Sequence, residues 1–318
     1  GLDRQCRSIL DQSLPLDAAP LRFASWMGGD RDGNPFVTHN VTEEVLLLSR
    51  WMAADLYLDD VDRLRSELSM YECNAALRER VGESTEPYRA LLAEVKANLV
   101  RTRKWIECKI KGKPLPDGEI ISRASQLLDP LQLCYDSLMD CGMTVIAESR
   151  LQDTIRRLAV FGVSLVKLDI RQNSERHAQV FDELCEYYEL GSYSEWSEAE
   201  KQAFLLEELR GKRPLIPQVW GPSEEVQEVI KTCKVVAQTD PAALGSYVIS
   251  MASYPSDVLA VLLLLKEAGM RHDIRVVPLF ETLDDLDNAS QCIDDLLSIN
   301  WYRVYTHGHQ EVMIGYSD

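Results

Sequence analysis

The period of the hydrophobic pattern changes about halfway along the chain. Up to about residue 160, apolar positions recur every three or four residues, as on one face of a helix. Arg4 to Leu14 reads as a short opening helix before Pro15 and Pro20. Leu21 to Met27 interrupts as a strand and runs into Gly28-Gly29-Asp30-Arg31-Asp32-Gly33-Asn34-Pro35. That density of glycine and Asx residues specifies a tight loop with positive φ angles and exposed amides, suited either to ligand contact or to an ordinary turn. Helical spacing resumes with a capping-box-like pair, Asn40 and Glu43, ahead of Val45, Leu48, Trp51 and Met52. Glu86 to Lys109 carries Leu91, Leu92, Val95, Leu99 and Ile106 on one side, Lys111 to Gly118 is a linker, and Ile120 to Cys141 and Met143 to Val160 are further helical segments.

Beyond residue 160 the period alternates between two and 3.6. Val163 to Arg171 places Val166, Leu168 and Ile170 on one face and Lys167, Asp169 and Arg171 on the other. The apolar face suits an outer helix layer and the charged face a polar cavity, although an antiparallel sheet with one wet side would read the same way. A helical segment, Glu175 to Leu190, follows at once and favours β-α repetition. Ser197 with Glu200 forms a capping box, and Ser223 caps another helix after an irregular Pro214 to Pro222. Then come a strand from Ser246 to Ala252, a helix from Ser256 to Ala268, a strand from Ile274 to Phe280, a helix from Asp284 to Ile299 and a last strand from Val312 to Tyr316. Successive βα units with polar residues at strand C-terminal ends describe a (β/α)8 barrel or a doubly wound sheet. About five strands are countable where a barrel needs eight. The expected organisation is therefore a mainly helical part over residues 1–160, opening with a strand and the glycine-rich loop, and βα units over 161–318. The chain stops where the last strand would deliver its side chain, so one continuous domain cut from a longer polypeptide is the expectation.

Composition narrows the partners. Across 318 residues, 34 Lys+Arg against 51 Asp+Glu give a net charge of −17, with no basic block to track a phosphate backbone, so nucleic acid is not expected. An anionic substrate would need local arginines and a metal against that field. The eight cysteines are scattered with no CxxC spacing and read as reduced thiols. The longest apolar run, Val258 to Leu265, is too short to span a bilayer, and no signal-peptide pattern opens the chain. A cytoplasmic location without membrane contact is the expectation.

Two strand-like runs end in carboxylates, one at Glu281 and one at Asp318, with a helical segment between them. In a parallel βαβ unit both would lie at the same sheet end, where strands about 4.8 Å apart let two carboxylates share one hard divalent cation. Acidic residues after strands also serve as helix N-caps, and both readings fit the pattern. No GxGxxG or GxxxxGK[ST] occurs, which disfavours a nucleotide site.

Ser25 to Pro35, Leu165 to Gln172, Tyr247 to Ala252, Pro255 to Val261, Pro278 to Asp285 and Met313 to Asp318 together resemble bacterial-type phosphoenolpyruvate carboxylase, in the family's order and across essentially the whole chain. Lys167 stands where arginine is common in the family. The resemblance corresponds to a central section, without the upstream essential histidine or the downstream glycine- and arginine-rich loop. It implies a helix-rich α/β fold, part of a TIM-type barrel. It also implies a lyase that joins bicarbonate to phosphoenolpyruvate, giving oxaloacetate and phosphate through carboxyphosphate and enolpyruvate, replenishing the tricarboxylic acid cycle. Mg2+ or Mn2+ would be held by Glu281 and Asp318, and the phosphate by Arg171. Trp26, Leu279 and Met313 match the apolar lining around the CO2 site, or plain core; Asp30 and Arg31 match positioning residues, or a salt-bridged turn. A homotetramer is implied for the full-length enzyme. This chain alone is expected to be inactive; the alternative is a non-catalytic folded fragment with a metal and phosphate half-site.

Overall fold

The computed structural model describes residues 2–315, so the carboxylate expected at Asp318 and the end of the strand expected to reach Tyr316 lie outside the described residues. The chain divides into two compact units. One contains the residues through Phe23 together with Leu46–Val166, and the other contains Ala24–Val45 together with the residues from Lys167 onward.

The first unit is helical. Helix α1 spans Leu2–Leu10, ending before Leu14 because Asp11 takes a left-handed backbone, φ 51°. Strand β1 (Ala24–Ser25) belongs to the other unit, as do the opening turns of helix α2 (His39–Glu67). Thr38 rather than Asn40 stands at the start of α2, its Oγ1 accepting the Val41 N–H at 3.5 Å. Helix α3 is Ala75–Val81, capped by the Asn74 side chain on the Leu77 N–H, and α4 is Pro87–Ile110, with proline where a helix needs no N–H. Helix α5 is Ser125–Asp140. The segment expected as one helix after Cys141 divides into α6 (Thr144–Ile146), a π turn over Ala147–Leu151 and α7 (Gln152–Phe161), with non-helical backbone at Ser149. Leucines at helical spacing, among them Leu64, Leu91, Leu92, Leu127, Leu131 and Leu158, fill this core. The Tyr88 hydroxyl and Ser137 Oγ, 2.8 Å apart, tie α4 to α5 within it.

The second unit is built on a parallel sheet. After β1 come β2 (Lys167–Asn173), α8 (Ser174–Tyr187), α9 (Glu198–Arg210), α10 (Glu224–Gln238), β3 (Leu244–Ser250), α11 (Pro255–Glu267), β4 (Arg275–Phe280), α12 (Leu283–Ser298), α13 (Asn300–Tyr305) and β5 (Met313–Ile314). The strands lie in sequence order and all pairs are parallel, a curled half-barrel that makes this an incomplete α/β barrel. Strand β2 starts four residues later than the alternation suggested, because Leu165 adopts φ 59° in the turn before it. The capping box at Ser197 and the cap at Ser223 form as the sequence specifies.

Register sets the two faces. Arg171 lies opposite Val248, Val248 opposite Val277, and Leu279 opposite Met313. Val248, Val277 and Leu279 form one buried cluster with Met313 against it. On the other face, Ile170 pairs with Tyr247, and Tyr247 reaches the helix layer, its hydroxyl 2.9 Å from Nε2 of His177 on α8. Helix α11 is buried from Val258 to Leu265, so its run of leucines is a core helix enclosed on all sides.

Two glycines let backbones close. A Cβ on Gly29 would stand 2.0 Å from the Asp169 carbonyl oxygen, and one on Gly245 would stand 2.0 Å from Asp169 Oδ1. At the register shift between Leu168 and Ile170, that same Oδ1 accepts the Ser246 N–H at 2.7 Å. The carboxylate thus satisfies an amide that the shifted ladder leaves unpaired. Gly29→Ala is expected to destabilise the protein by about 3 kcal/mol or more, since backbone rather than a mobile side chain must give way. Gly33→Ala, with nothing near the added methyl and only its φ of 64° to strain, should cost about 1 kcal/mol. Denaturant titrations of both variants check the contrast.

Burial pushes the His177 imidazole down to about 3. Because the folded value lies below the ordinary value near 6.5, the unfolded chain binds the extra proton, and stability falls as pH drops below that ordinary value. The loss by pH 5 is about 2 kcal/mol. In His177→Gln that part of the acid-side loss should disappear, as read from unfolding midpoints at pH 7 and pH 5.

Candidate active site

Every parallel strand delivers its last residues to the same sheet end, where α/β barrels carry their chemistry. Trp26 follows β1, Asn173 ends β2, Met251 follows β3 and Glu281 follows β4. The loop after β1 folds back on itself, with the Gly29 and Asp30 amides both donating to the Trp26 carbonyl at 2.9 and 3.0 Å. Gly28 makes that turn with φ 82°.

The loop then resumes parallel pairing, as a bridge between Asp30 and Arg171. The Arg171 N–H donates to the Gly29 carbonyl at 2.8 Å, and the Arg31 N–H donates to the Arg171 carbonyl at 3.0 Å. The Asp30 carboxylate consequently stands beside the guanidinium, Oδ2 to Nε at 3.6 Å, while Cζ of Arg171 lies 5.7 Å from the centroid of the Trp26 ring. Among the described residues neither Nη of Arg171 is hydrogen-bonded. Nε is buried without a hydrogen-bond partner, so Asp30 meets that edge as an ion pair; a fork paired along one edge, with its other two nitrogens unengaged, can grip a planar or tetrahedral oxyanion.

The expected site residues fall into three environments. Arg171 and Asp30 are half-buried partners, and Trp26 is 60% exposed beside them. Leu279 is buried and Met313 half-buried, opposite one another in register. Arg31 is only 7% exposed, its guanidinium turned away into the interior toward Thr42.

Glu281 presents a half-exposed carboxylate beyond β4. Its Oε2 accepts the Met251 N–H at 3.1 Å, while Oε1 has no hydrogen bond or ion pair among the described residues. Gly315 approaches so closely that a Cβ there would lie 3.2 Å from Cα and Cγ of Glu281, and its N–H bonds the Phe280 carbonyl at 2.9 Å. The chain leading to Asp318 is therefore delivered to Glu281 as far as Gly315. An open carboxylate oxygen suits a hard divalent cation such as Mg2+ or Mn2+. Among the described residues no group of three or more His, Cys, Asp or Glu is arranged to hold a metal, so the fit depends on Glu281 with groups beyond Gly315.

Asp285 does different work from Glu281. Burial raises its pKa, but hydrogen bonds from Thr282, Ser253 and nearby amides outweigh that and hold the carboxyl below its usual range. It closes the capping box of α12 with Thr282 and accepts the Ser253 hydroxyl at 2.8 Å, tying the loop after β3 to that helix. Neither Met251 nor Thr42 stands out in the sequence as a site residue. Met251 contributes through a left-handed backbone, φ 53°, which its side chain does not advertise.

No helix of the described residues is long and apolar enough to cross a membrane. The family model for phosphoenolpyruvate carboxylase matches residues 1–318. Curated relatives called phosphoenolpyruvate carboxylase are 57% identical over 318 residues in Marinobacter nauticus, 57% over 317 residues in Tolumonas auensis and 59% over 308 residues in Pseudomonas paraeruginosa. These alignments cover 96 to 100% of this chain but 35 to 36% of each relative, so the chain spans about a third of their length. With the family model matching all 318 residues and the described fold in keeping with it, the chain belongs to the phosphoenolpyruvate carboxylase family.

Proposed function

We propose that the full-length polypeptide carrying this chain is a phosphoenolpyruvate carboxylase, which adds bicarbonate to phosphoenolpyruvate to give oxaloacetate and phosphate. The observation that carries this reading is the Arg171 fork, held at its Nε edge by Asp30 beside an apolar strip of Val248, Val277, Leu279 and Met313. Phosphoenolpyruvate needs such a pair of environments, a cationic fork for its phosphate and a dry wall where the enolate meets CO2.

In this reading the Arg171 Nη groups bind the phosphoryl oxygens and offset charge as the group leaves. Leu279 and Met313 exclude water, whose proton would turn the enolate into pyruvate, and Trp26 stands at the edge of that wall. Asp30 orients Arg171. Glu281 and Asp318 would hold Mg2+ or Mn2+, which when bound stabilises negative charge on the substrate oxygens. A cytoplasmic homotetramer feeding the tricarboxylic acid cycle completes the proposal. The 318-residue chain by itself is expected to lack turnover.

The first test is oxaloacetate formation by the full-length protein from phosphoenolpyruvate and bicarbonate. Activity should vanish on chelation, return with Mg2+ or Mn2+, and fall at least about 100-fold in Glu281→Gln, the scale of losing one electrostatic contact to the transition state. Metal-independent turnover, or an unaltered Glu281→Gln enzyme, would contradict the ligand assignment. Arg171→Lys keeps the charge but not the fork and should lower kcat/KM for phosphoenolpyruvate by about 30-fold or more. Steady-state kinetics with each substrate varied check this.

A further inference from the structure

The loop that carries Asp30 is fixed from beneath by a buried cation. Extended residues alternate sides, so when Asp30 faces Arg171 the next side chain, Arg31, points into the interior. Arg31 Nη1 donates to the Gly29 carbonyl at 2.9 Å, and Nη2 donates to the hydroxyl oxygen of Thr42, which is fully buried in the first turn of α2. That hydroxyl in turn donates to the Gly28 carbonyl at 2.7 Å. The Gly29 carbonyl thus accepts from both the Arg171 N–H and the Arg31 guanidinium, while the Arg31 N–H holds the Arg171 carbonyl. Arg31 therefore bonds the Arg171 carbonyl directly and, through Gly29, steadies the oxygen that accepts the Arg171 N–H.

This clasp is an expensive way to make a turn. Among the described residues no carboxylate lies within ion-pair distance of Arg31, its Nε is buried without a partner, and burial lowers its pKa. Desolvating a guanidinium costs several kcal/mol, offset here by a carbonyl, a hydroxyl and the more distant charges of Glu228 and Asp30. An apolar side chain would pack beneath an ordinary turn without that penalty. What a rigid fork adds is two bonds in fixed directions, one to each end of the Gly28–Gly29 turn through Thr42 and Gly29.

We propose that Arg31 and Thr42 are positioning residues: they lock the Gly28–Asp30 backbone against Arg171, so that Asp30 holds the Nε edge and both Nη groups face a phosphate-bearing substrate. The inference rests on the reading of Arg171 as the phosphate ligand. Neither Arg31 nor Thr42 touches the substrate; they act through Asp30 and Arg171.

The test uses the full-length enzyme with Thr42→Val, Thr42→Ser, Arg31→Lys, Asp30→Asn and Arg171→Gln. KM and kcat are measured for phosphoenolpyruvate and for bicarbonate, alongside the unfolding midpoint. Thr42→Val removes the hydroxyl at constant shape and should raise KM for phosphoenolpyruvate about tenfold, with bicarbonate KM unchanged, as a small misplacement of a binding group does. Thr42→Ser restores the hydroxyl and should come within about twofold of the parent enzyme, since the same two hydrogen bonds re-form. An unchanged phosphoenolpyruvate KM in Thr42→Val overturns the proposal, as does an equal rise in both KM values with a lowered unfolding midpoint. If Thr42→Val does not fold, Arg31→Lys decides, since lysine keeps the charge but not the fork that reaches both Gly29 and Thr42: a selective rise in phosphoenolpyruvate KM, matching that of Asp30→Asn, supports the positioning chain, and its absence overturns it. An unchanged phosphoenolpyruvate KM in Arg171→Gln would instead remove the phosphate reading itself, and the inference with it.

Discussion

The parallel bridge between Asp30 and Arg171 is the contact on which the candidate site depends. It joins a loop near the start of the chain to a strand far along it, and brings a carboxylate, an aromatic ring and a guanidinium together. The bridge exists because Gly29 carries no Cβ: the Asp169 carbonyl occupies the space such an atom would need. Loop closure over so many residues is entropically unfavourable, and the compensation here is backbone hydrogen bonding in both directions, reinforced by a buried cation beneath. A substitution that opened this contact would misplace Arg171 without touching it.

The second organising constraint is the alternation of each strand. Arg171, Val248 and Val277 lie level across β2, β3 and β4, with Leu279 and Met313 one rung further toward Glu281. A cation thus stands next to a dry wall, while Tyr247 and Ile170 on the opposite face meet the helices. A protein with net charge −17 can present a local cationic fork only by geometric isolation. Asp30 takes the Nε edge and leaves the rest of the guanidinium unengaged, so the favourable field is short-ranged.

Much of this was legible in residues. The switch from helical to alternating period near residue 160, the caps at Ser197 and Ser223, and the strand-end location of Glu281 follow from side-chain chemistry that acts locally. The charged face of Leu165 to Gln172 and the glycine-rich stretch before Pro35 marked the two halves of the bridge, but not their contact. What the sequence hid is set by backbone geometry and long-range pairing. Leu165 and Met251 adopt left-handed conformations that their side chains disfavour, so the start of β2 and the donor to Glu281 were unreadable. Arg31 reads as a positioning residue or as half of a salt-bridged turn, and only the bridging of Asp30 decides that its neighbour must point inward. Thr42 looks like one more polar residue in the first turn of a helix.

Binding of phosphoenolpyruvate in this scheme turns on the Arg171 fork, whose orientation is set by Asp30. The most direct measurement is a crystal structure of the full-length protein with Mg2+ and an unreactive phosphoenolpyruvate analogue. Phosphate oxygens are expected at about 2.7–2.9 Å from the Arg171 Nη groups, with Nε still facing Asp30. A phosphate bound elsewhere, or an Arg171 swung away from Asp30 to reach it, would contradict this role for Arg171 and Asp30.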